Sequence, residues 1–517
     1  MARAHAAAWL ARFRLKPIAF WPALLAMVAA LALIAVDQAR FVALTTYLNR
    51  LLIDTLSPVF LYAALGLLVL CVLVFLSPLG ATRLGGADAR PIYSPFRWFS
   101  VSLTTVIAMG ILFWAVAEPV VHFHEPPPFT GLAPGGEAAQ RFALSTVFVH
   151  WTLVPYAIYT VAALTFALGF HNHGYGFSVD ALLRPLLGDR LRGPASEAVD
   201  GLVLFSVVVG MSAVLSGGLL LIGDGLRALF DIDAGARVHA LTATFIVAVA
   251  LLSAASGLAG GIQLLARLNT VLFLALMVYL LVAGPAGFVA HLGGESLGLY
   301  AREFLSRHLM LDEPPGSQWS GWWTTAFLAS WFAWAPLSCL FLGKIARGYT
   351  VRQFILVNLL LPSAFGVLWF STFGASALYF DAHHQAALYR VYEDRGLAAI
   401  AYQMFAYLPG GFVVSLLFIV ACVISFITAT DSNTDAIGGL CTRSVTAREM
   451  DTAFTIKLLW GAVIGAVGWS SATYLGVDGI KMLANLAGLP GLVIVLGAAG
   501  SLVLMLVKSY ATNRYSN

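Results

Sequence analysis

Two aromatic segments inside long apolar runs have the residue types and spacing needed to bind a cation. In the first, Trp151, Pro155 and Tyr159 recur at positions i, i+4 and i+8, so a helix places them on one face, with Tyr156 beside them. Proline lacks a backbone N–H and therefore frees the carbonyl one helical turn before it. Aromatic faces that converge on one point attract a quaternary ammonium group, each by about 0.5 to 2 kcal/mol.

The second segment contains Trp331 and Trp334, three residues apart and just before Pro336. A proline at this place predicts a helix that is bent or broken near the middle of a membrane. Broken helices with aromatic or polar groups near the midplane form the binding sites of many secondary transporters. From spacing alone, an aromatic cage and ordinary helix packing explain these tryptophans equally well.

Histidine pairs with a spacing typical of metal ligands do not combine into one predicted site. His122 and His124 precede the fourth apolar run, and His171 and His173 follow it. The two pairs therefore lie on opposite faces of a membrane, and we interpret them as interfacial polar clusters. No catalytic constellation on one side of the membrane is apparent, so an enzyme is not expected. Neither a disulfide framework nor a zinc site is indicated by the cysteines, which show no C-x-x-C pair: Cys71, Cys339, Cys422 and Cys441.

Helices that cross a membrane have to position these side chains. The 517 residues are 60% hydrophobic and 10% charged, with a mean hydropathy of +0.87, whereas soluble domains are about 25% charged. Apolar runs of about 18 residues or more recur along the chain, and they predict an all-α integral membrane protein with about twelve transmembrane helices. We place these at residues 17–36, 58–78, 99–123, 143–168, 198–222, 238–257, 269–291, 322–343, 352–378, 411–429, 456–474 and 488–508.

The remaining segments leave little room for other classes of function. They are too short for a nucleotide-binding domain and contain no phosphate-binding loop, so we expect neither an ATP-driven pump nor a bound cofactor. The net charge of +4 comes from basic residues spread over short loops, which indicates membrane topology and not nucleic-acid binding. The apolar run after Lys16 has no convincing cleavage site, so we interpret it as a retained first helix.

Positive charge predicts which side of the membrane each loop occupies. The basic loops fall together on one side if both termini are cytoplasmic, while alternate loops carry more acids, such as Asp312 and Glu313. Residues 295–309 alternate apolar and charged side chains, which is typical of an amphipathic helix on the outer surface. The basic residues that set this orientation are Arg83, Arg90, Arg97, Arg184, Arg190, Arg192, Lys344, Arg347, Arg352, Arg443 and Arg448.

A series of short motifs runs in order through most of the chain: 113–119 (FWAVAEP), 150–159 (HWTLVPYAIY), 222–226 (IGDGL), 331–336 (WFAWAP), 344–354 (KIARGYTVRQF), 368–374 (LWFSTFG) and 427–432 (ITATDS). They resemble the motifs of the betaine/choline/carnitine transporter (BCCT) family. The resemblance implies a LeuT-like core of two inverted five-helix repeats preceded by two extra helices, a homotrimer, and alternating access around a central aromatic box. By motif position, Trp151, Tyr156, Tyr159, Trp331 and Trp334 correspond to that box.

The resemblance also predicts how the chain is divided. Two peripheral helices come before the two repeats, and an amphipathic helix with its loop separates the repeats. The predicted units are a cytoplasmic tail (1–16), two peripheral transmembrane helices (17–98), the first repeat (99–291), the outer amphipathic helix and loop (292–321), the second repeat (322–508) and a short cytoplasmic tail (509–517).

Several aromatic positions depart from the family pattern. Leu328 and Ser330 stand where the family has tryptophans, and Tyr156 replaces another, so the predicted box is thinned. The glycine-rich unwound segment of the third span keeps one of its several glycines, Gly110. We expect the helix to be interrupted near Gly110. The gating or coupling candidates are Gly110, Glu118 and Asp431.

The predicted ion sites also depart from the pattern. Val207, Met211 and Ala429 supply no side-chain oxygen at positions where sodium-coupled members have hydroxyl groups. Sodium is a hard cation that requires oxygen ligands, so sodium coupling is disfavoured and proton coupling or exchange is favoured in comparison. Thr428 remains as a weak ion site, and no other metal site is predicted.

The sequence therefore predicts a secondary active transporter of the inner membrane for a quaternary-ammonium or related zwitterionic solute of the choline, glycine betaine or carnitine class. The first alternative is a LeuT-fold symporter or exchanger for another amino-acid-like or sulfonium solute, which the thinned box favours. A more distant alternative is a membrane sensor or an enzyme embedded in the bilayer. The expected partners are the small solute, membrane lipids and further copies of the chain in a homotrimer, with no nucleic acid.

Overall fold

The computed structural model describes residues 15–106, 110–256, 259–443 and 454–514. Within these ranges the regular secondary structure is helical, apart from isolated bridges that pair Leu15 with Thr442 and Arg83 with Thr350. The predicted all-α class is confirmed. The fold follows from the sequence because a backbone surrounded by lipid has to satisfy its hydrogen bonds within its own segment, and helices do so.

Two long helices open the chain, α1 (Pro17–Val36) and α2 (Gln38–Leu76). Asp37 separates them and caps α2 by accepting a hydrogen bond from the backbone N–H of Arg40 at 3.0 Å. The second span was predicted from residue 58, and the helix that contains it begins twenty residues earlier. Its polar first half is tied into the protein, where the Asn49 side chain accepts a hydrogen bond from the amide of Asn485 at 2.7 Å.

The first half of the chain continues as a bundle of helices joined by short loops and single turns. The one-turn helices are Pro78–Ala81, Pro128–Thr130, Val179–Leu182, Arg184–Leu187 and Gly188–Arg190. The longer helices are α3 (Pro95–Val106), α4 (Gly110–His124), α5 (Glu137–Trp151), α6 (Leu153–Asn172), α7 (Pro194–Phe230), α8 (Ala236–Ser256), α9 (Ala259–Ala283), α10 (Ala286–Arg302) and α11 (Phe304–Leu309).

The second half contains π-helical turns within its helices. Such turns interrupt the regular α-helical register and often mark functional positions. They are Gly321–Thr325, Leu356–Leu360 and Ser371–Ala375, and a short 3₁₀ turn spans Leu397–Ala399. The helices are α12 (Ala326–Ile345), α13 (Val351–Ile355), α14 (Leu361–Phe370), α15 (Ser376–His383), α16 (Ala387–Arg395), α17 (Ile400–Ala406), α18 (Gly411–Cys441), α19 (Phe454–Tyr474) and α20 (Gly476–Arg514).

In the part of the chain that the structure describes, ten helices are long and apolar enough to cross a membrane. The other two predicted spans fall on α8 and on the pair α3 and α4, so the count of twelve stays a prediction. The seventh span was predicted to end at residue 291, and this boundary is wrong. Helix α9 ends at Ala283, and Pro285 then caps α10, because proline favours the start of a helix over its interior.

The predicted interruption at Pro336 is also wrong, because α12 continues through this residue. Proline removes the hydrogen bond to the carbonyl of Phe332, one turn earlier. Helix α20 passes directly over that carbonyl at Gly491, where a Cβ atom would lie only 2.1 Å from the Phe332 oxygen. A glycine in the neighbouring helix therefore makes room for the helix that carries the proline.

Burial separates the helices into an inner and an outer set. In the most apolar stretch of the span Glu137–Asn172, 89% of the residues are buried inside the protein, against 28% for the span Pro17–Val36. Helices α12 and α20 pack against each other at the centre, and both pack against α6 and α7. The inner helices carry the aromatic segments predicted from the sequence, whereas α1 exposes apolar side chains as a lipid-facing helix does. The division into inverted repeats stays a prediction.

Candidate functional site

The fourth span breaks at Thr152, between α5 and α6, and the sequence did not predict this position. Thr152 has φ −123° and ψ −128°, which no helical residue adopts. Its hydroxyl contacts the carbonyl of Phe148 at 2.5 Å and the Tyr300 hydroxyl at 3.0 Å, so polar partners hold the break in place. Beside the break, the indole N–H of Trp331 donates to the carbonyl of His150 at 3.2 Å. The two predicted aromatic segments therefore meet at this break.

Trp331 lies at the centre of an aromatic cluster. Its ring centroid is 5.9 Å from that of Trp151 and 5.0 Å from those of Tyr156 and Tyr159. Each of these four side chains is buried. These contacts bring aromatic residues of the fourth and eighth spans together, and their role as a solute-binding box stays a prediction.

A cavity opens beside the cluster. Trp151, Tyr159, Trp331 and Trp334 line it, so four of the five predicted box residues face one space. Tyr156 is not among the lining residues and packs behind Trp331 instead. The arrangement is mostly apolar with several π faces, which suits a cationic head group that makes no hydrogen bonds.

Sequence reasoning missed part of the wall. Phe113 and Trp114 of α4, Phe327 of α12 and Phe426 of α18 add further aromatic faces to the cavity. Trp114 and Phe327 touch edge to face with ring centroids 5.1 Å apart. Phe113 and Trp114 belong to the FWAVAEP motif, so the motif itself was a sequence signal that could have identified them.

Lys481 is the charged residue that sequence reasoning missed. Its Nζ lies 3.4 Å from the ring centroid of Trp323 and 5.6 Å from that of Trp114, which is cation–π geometry. Trp323 lies on the π turn Gly321–Thr325 directly before α12. The predicted last span began at residue 488 and so excluded Lys481, whereas α20 begins at Gly476 and places the lysine against the cavity.

A buried polar cluster lies behind the wall formed by Trp151. One oxygen of Glu118 is 2.5 Å from Nδ1 of His150, and the other accepts a hydrogen bond from the Trp151 indole at 3.0 Å. Nε2 of His150 lies 2.9 Å from the Thr324 hydroxyl. Because Glu118 and His150 are fully buried and linked to a cavity residue, their protonation can affect the cavity wall.

His122, which the sequence assigned to an interfacial pair, belongs to the same cluster. It is fully buried, and its Nε2 lies 3.6 Å from Glu118. Neither of its ring nitrogens has a hydrogen-bond partner within the described residues. The sequence did not predict that Glu118, His122 and His150 come together. Each of them offers one ligand atom, and these atoms lie within 4.8 Å of one another.

Comparison with known proteins agrees with the motifs and the cavity. The family model described as the betaine/carnitine/choline family transporter (BCCT) matches residues 18–511. The chain belongs to this family. It is 30% identical over 444 residues to the glycine betaine transporter OpuD of Bacillus subtilis, an alignment that covers 85% of this chain and 84% of that protein.

Two other relatives are named for different solutes. The high-affinity choline transport protein of Escherichia coli is 29% identical over 439 residues, which cover 83% of this chain and 63% of that protein. The ectoine/hydroxyectoine transporter of Virgibacillus pantothenticus is 27% identical over 450 residues, which cover 87% of this chain and 88% of that protein. The relatives are transporters, and this BCCT chain is a multi-pass membrane transporter.

The remaining predicted residues of this BCCT chain have different surroundings. Gly110 lines the cavity, and a Cβ atom there would lie 2.6 Å from Cη2 of Trp151, so a larger residue would displace that ring. Residues 107–109, where we expected the helix to be interrupted, lie outside the described residues, as does the side chain of Asp431. The Thr428 hydroxyl donates to the carbonyls of Ile424 and Ser425 at 2.9 and 3.0 Å.

Proposed function

We propose that this BCCT transporter moves a quaternary-ammonium or related zwitterionic solute of the choline, glycine betaine or carnitine class by alternating access. The observation that supports this most strongly is the cavity lined by Trp151, Tyr159, Trp331 and Trp334. Three or four π faces at about 0.5 to 2 kcal/mol each are enough to hold a cationic head group that offers no hydrogen bonds. The relatives named for glycine betaine and choline support the same class.

Uptake into proteoliposomes tests this proposal. Radiolabelled choline and glycine betaine are supplied outside, and sodium and proton gradients are imposed separately. Saturable uptake of at least one methylated ammonium compound is the expected result. If every such compound fails while another solute is taken up, the proposal is overturned in favour of a symporter or exchanger for an amino-acid-like or sulfonium solute, and the relative named for ectoine makes that alternative specific.

We further propose that a proton, and not sodium, drives the transport. Val207 and Met211 are buried and have no side-chain oxygen with which to bind sodium. The Glu118 and His150 pair provides a place to hold a proton, because an ionised carboxylate in a membrane interior is costly unless it is neutralised. Trp151 links this pair directly to the cavity through its indole N–H.

The groups that surround Glu118 come from several elements. His122 is on the same helix, His150 is on α5, and Lys481 reaches the neighbouring ring of Trp323 from α20. Glu118→Gln removes the proton acceptor with little change in shape. We expect it to abolish the stimulation of uptake by an inward proton gradient while exchange of internal for external solute continues. Glu137→Gln is the control, because the Glu137 side chain is exposed on the surface. Undiminished proton stimulation in Glu118→Gln would contradict the coupling proposal.

The assembly and placement are also proposals. Both termini lie in the cytoplasm, the protein resides in the inner membrane among lipids, and three copies associate. The concentration of basic residues in alternate loops supports the orientation, because such residues are retained on the cytoplasmic side. Labelling of single cysteines introduced at the two ends, from each side of the membrane, tests the orientation. Cross-linking in native membranes tests the trimer.

A further inference from the structure

The aromatic cavity contains a positive charge that belongs to the protein. Among the described residues that line the cavity, Lys481 is the only charged one. It is buried, and its contacts are with the π faces of Trp323 and Trp114. Within the described ranges, no carboxylate oxygen lies within 4 Å of its Nζ. A buried ammonium group without a direct ion pair is costly, so its presence next to a binding cavity calls for a functional explanation.

The acidic residues near Lys481, in the sequence and on neighbouring helices, form no direct ion pair with it. Both oxygens of Glu118 are used by His150 and Trp151 behind the wall. Glu125 accepts a hydrogen bond from the Tyr389 hydroxyl at 2.9 Å. Asp478 is in the first turn of α20 and forms no ion pair with Lys481. The charge that the cavity itself presents to a solute is therefore positive.

We propose that Lys481 selects solutes that carry an anionic group together with the ammonium head group, and disfavours solutes that carry a positive charge alone. This inference rests on the proposed function, because it assigns the second half of a solute whose ammonium group lies on the aromatic box. Carboxylate zwitterions such as glycine betaine and carnitine fit this chemistry. Choline, which has a hydroxyl group in place of the carboxylate, does not.

The geometry sets the size of the effect. Trp323, whose ring the lysine contacts, precedes Trp331 by eight residues, which is a rise of about 12 Å in a regular α-helix and less across the π turn Gly321–Thr325. Lysine has a long flexible side chain that can shorten this separation when an anion is present. Two unit charges about 10 Å apart in surroundings with an effective dielectric constant of 20 change a binding constant by about tenfold. A cation at the same distance is repelled by the lysine, and its binding constant falls by the same factor.

A matched pair of ligands tests the inference on the unmodified protein. Glycine betaine and its methyl ester share the same head group, but the ester has lost the carboxylate charge. Purified transporter in detergent is loaded with radiolabelled glycine betaine, and unlabelled betaine, ester and choline compete for binding. We expect the ester and choline to bind at least about tenfold more weakly than betaine. Equal binding of betaine and its ester would overturn the inference.

Three variants assign the effect to this residue. Lys481→Met removes the charge at similar size and should reduce the preference for betaine over its ester by about tenfold, while Lys481→Arg should keep it. Lys344→Met is the matched control, because Lys344 also lies over an aromatic ring, Phe177 at 5.3 Å, but does not line the cavity. An unchanged preference in Lys481→Met, or an equal change in Lys344→Met, overturns the assignment.

The outcomes separate this inference from the proposed function. If the unmodified protein binds no methylated ammonium compound, the proposed function fails and this inference fails with it. If it binds betaine, ester and choline alike, the proposed function stands and only the role of Lys481 is withdrawn. If Lys481→Met does not fold, the comparison of betaine with its ester on the unmodified protein still decides the question.

Discussion

Trp334→Phe separates a cation-binding role from a packing role more cleanly than the other box residues do. Trp334 lines the cavity and is only half-buried. Its indole N–H has no hydrogen-bond partner among the described residues, whereas the indole of Trp331 donates to the carbonyl of His150. Phenylalanine at position 331 would leave that carbonyl unpaired, which costs about 1 to 3 kcal/mol of stability. At position 334 the main loss is the stronger π face of the indole.

The expected size of this loss follows from the cation–π interaction. A single face contributes about 0.5 to 2 kcal/mol, and phenylalanine keeps part of it, so we expect a loss of about 1 kcal/mol. The dissociation constant of a quaternary ammonium solute should then rise about fivefold. Binding is measured by displacement of radiolabelled solute from purified protein, and thermal unfolding in the same detergent reports whether the fold is intact. Leucine at this position should weaken binding further.

A control tryptophan guards against general damage. Trp98 is unsuitable as a control because it is buried and its ring stacks on Tyr349 with centroids 3.9 Å apart. Trp21 is 37% exposed on the outer face of α1, so Trp21→Phe is the better control. Unchanged affinity in Trp334→Phe, or equal losses at Trp21 and Trp334, would refute the reasoning that these rings hold a cation.

Three further predictions concern other parts of the molecule. Gly110→Ala should weaken solute binding, because its Cβ would lie 2.6 Å from Cη2 of Trp151 and displace that ring; wild-type affinity in an equilibrium binding assay would contradict this. Gly491→Val should lower the unfolding temperature, because even a Cβ atom at this position would lie 2.1 Å from the Phe332 carbonyl oxygen. An unchanged unfolding temperature would show that α12 and α20 can move apart without a loss of stability. Uptake should persist when sodium is replaced by an inert cation, because Val207 and Met211 supply no oxygen ligand; strict, saturable sodium dependence in proteoliposomes would refute this.

The sequence by itself determined the class of the protein and the helices that carry the site. Long apolar runs with few charges have one stable solution, the membrane-spanning helix, because lipid offers no hydrogen-bond partners to the backbone. The predicted common helix face of Trp151 and Tyr159 is interrupted at Thr152, whereas the spacing of Trp331 and Trp334 correctly placed two side chains on one face of α12. These are local properties with a period of 3.6 residues, so they can be recognised without knowledge of the neighbouring helices.

The tertiary structure decided where the helices break and which residues meet across them. Pro336 favours a break, yet α12 stays continuous because Gly491 of α20 accommodates the freed carbonyl. Pro155 frees the carbonyl of Trp151, one turn earlier, and here the span does break, at Thr152, with Tyr300 as a partner from another helix. Both outcomes depend on contacts between residues far apart in sequence.

The same reason explains the residues that were missed. Glu118, His122 and His150 come from two helices, and only the packing of these helices shows that their ligand atoms lie within 4.8 Å of one another. Lys481 is one lysine near the start of a span in the sequence, and it became significant when Trp323 and Trp114 were found around its ammonium group. Sequence periodicity assigns a residue to a helix face, but the charge and shape of a cavity are set by all the helices that surround it.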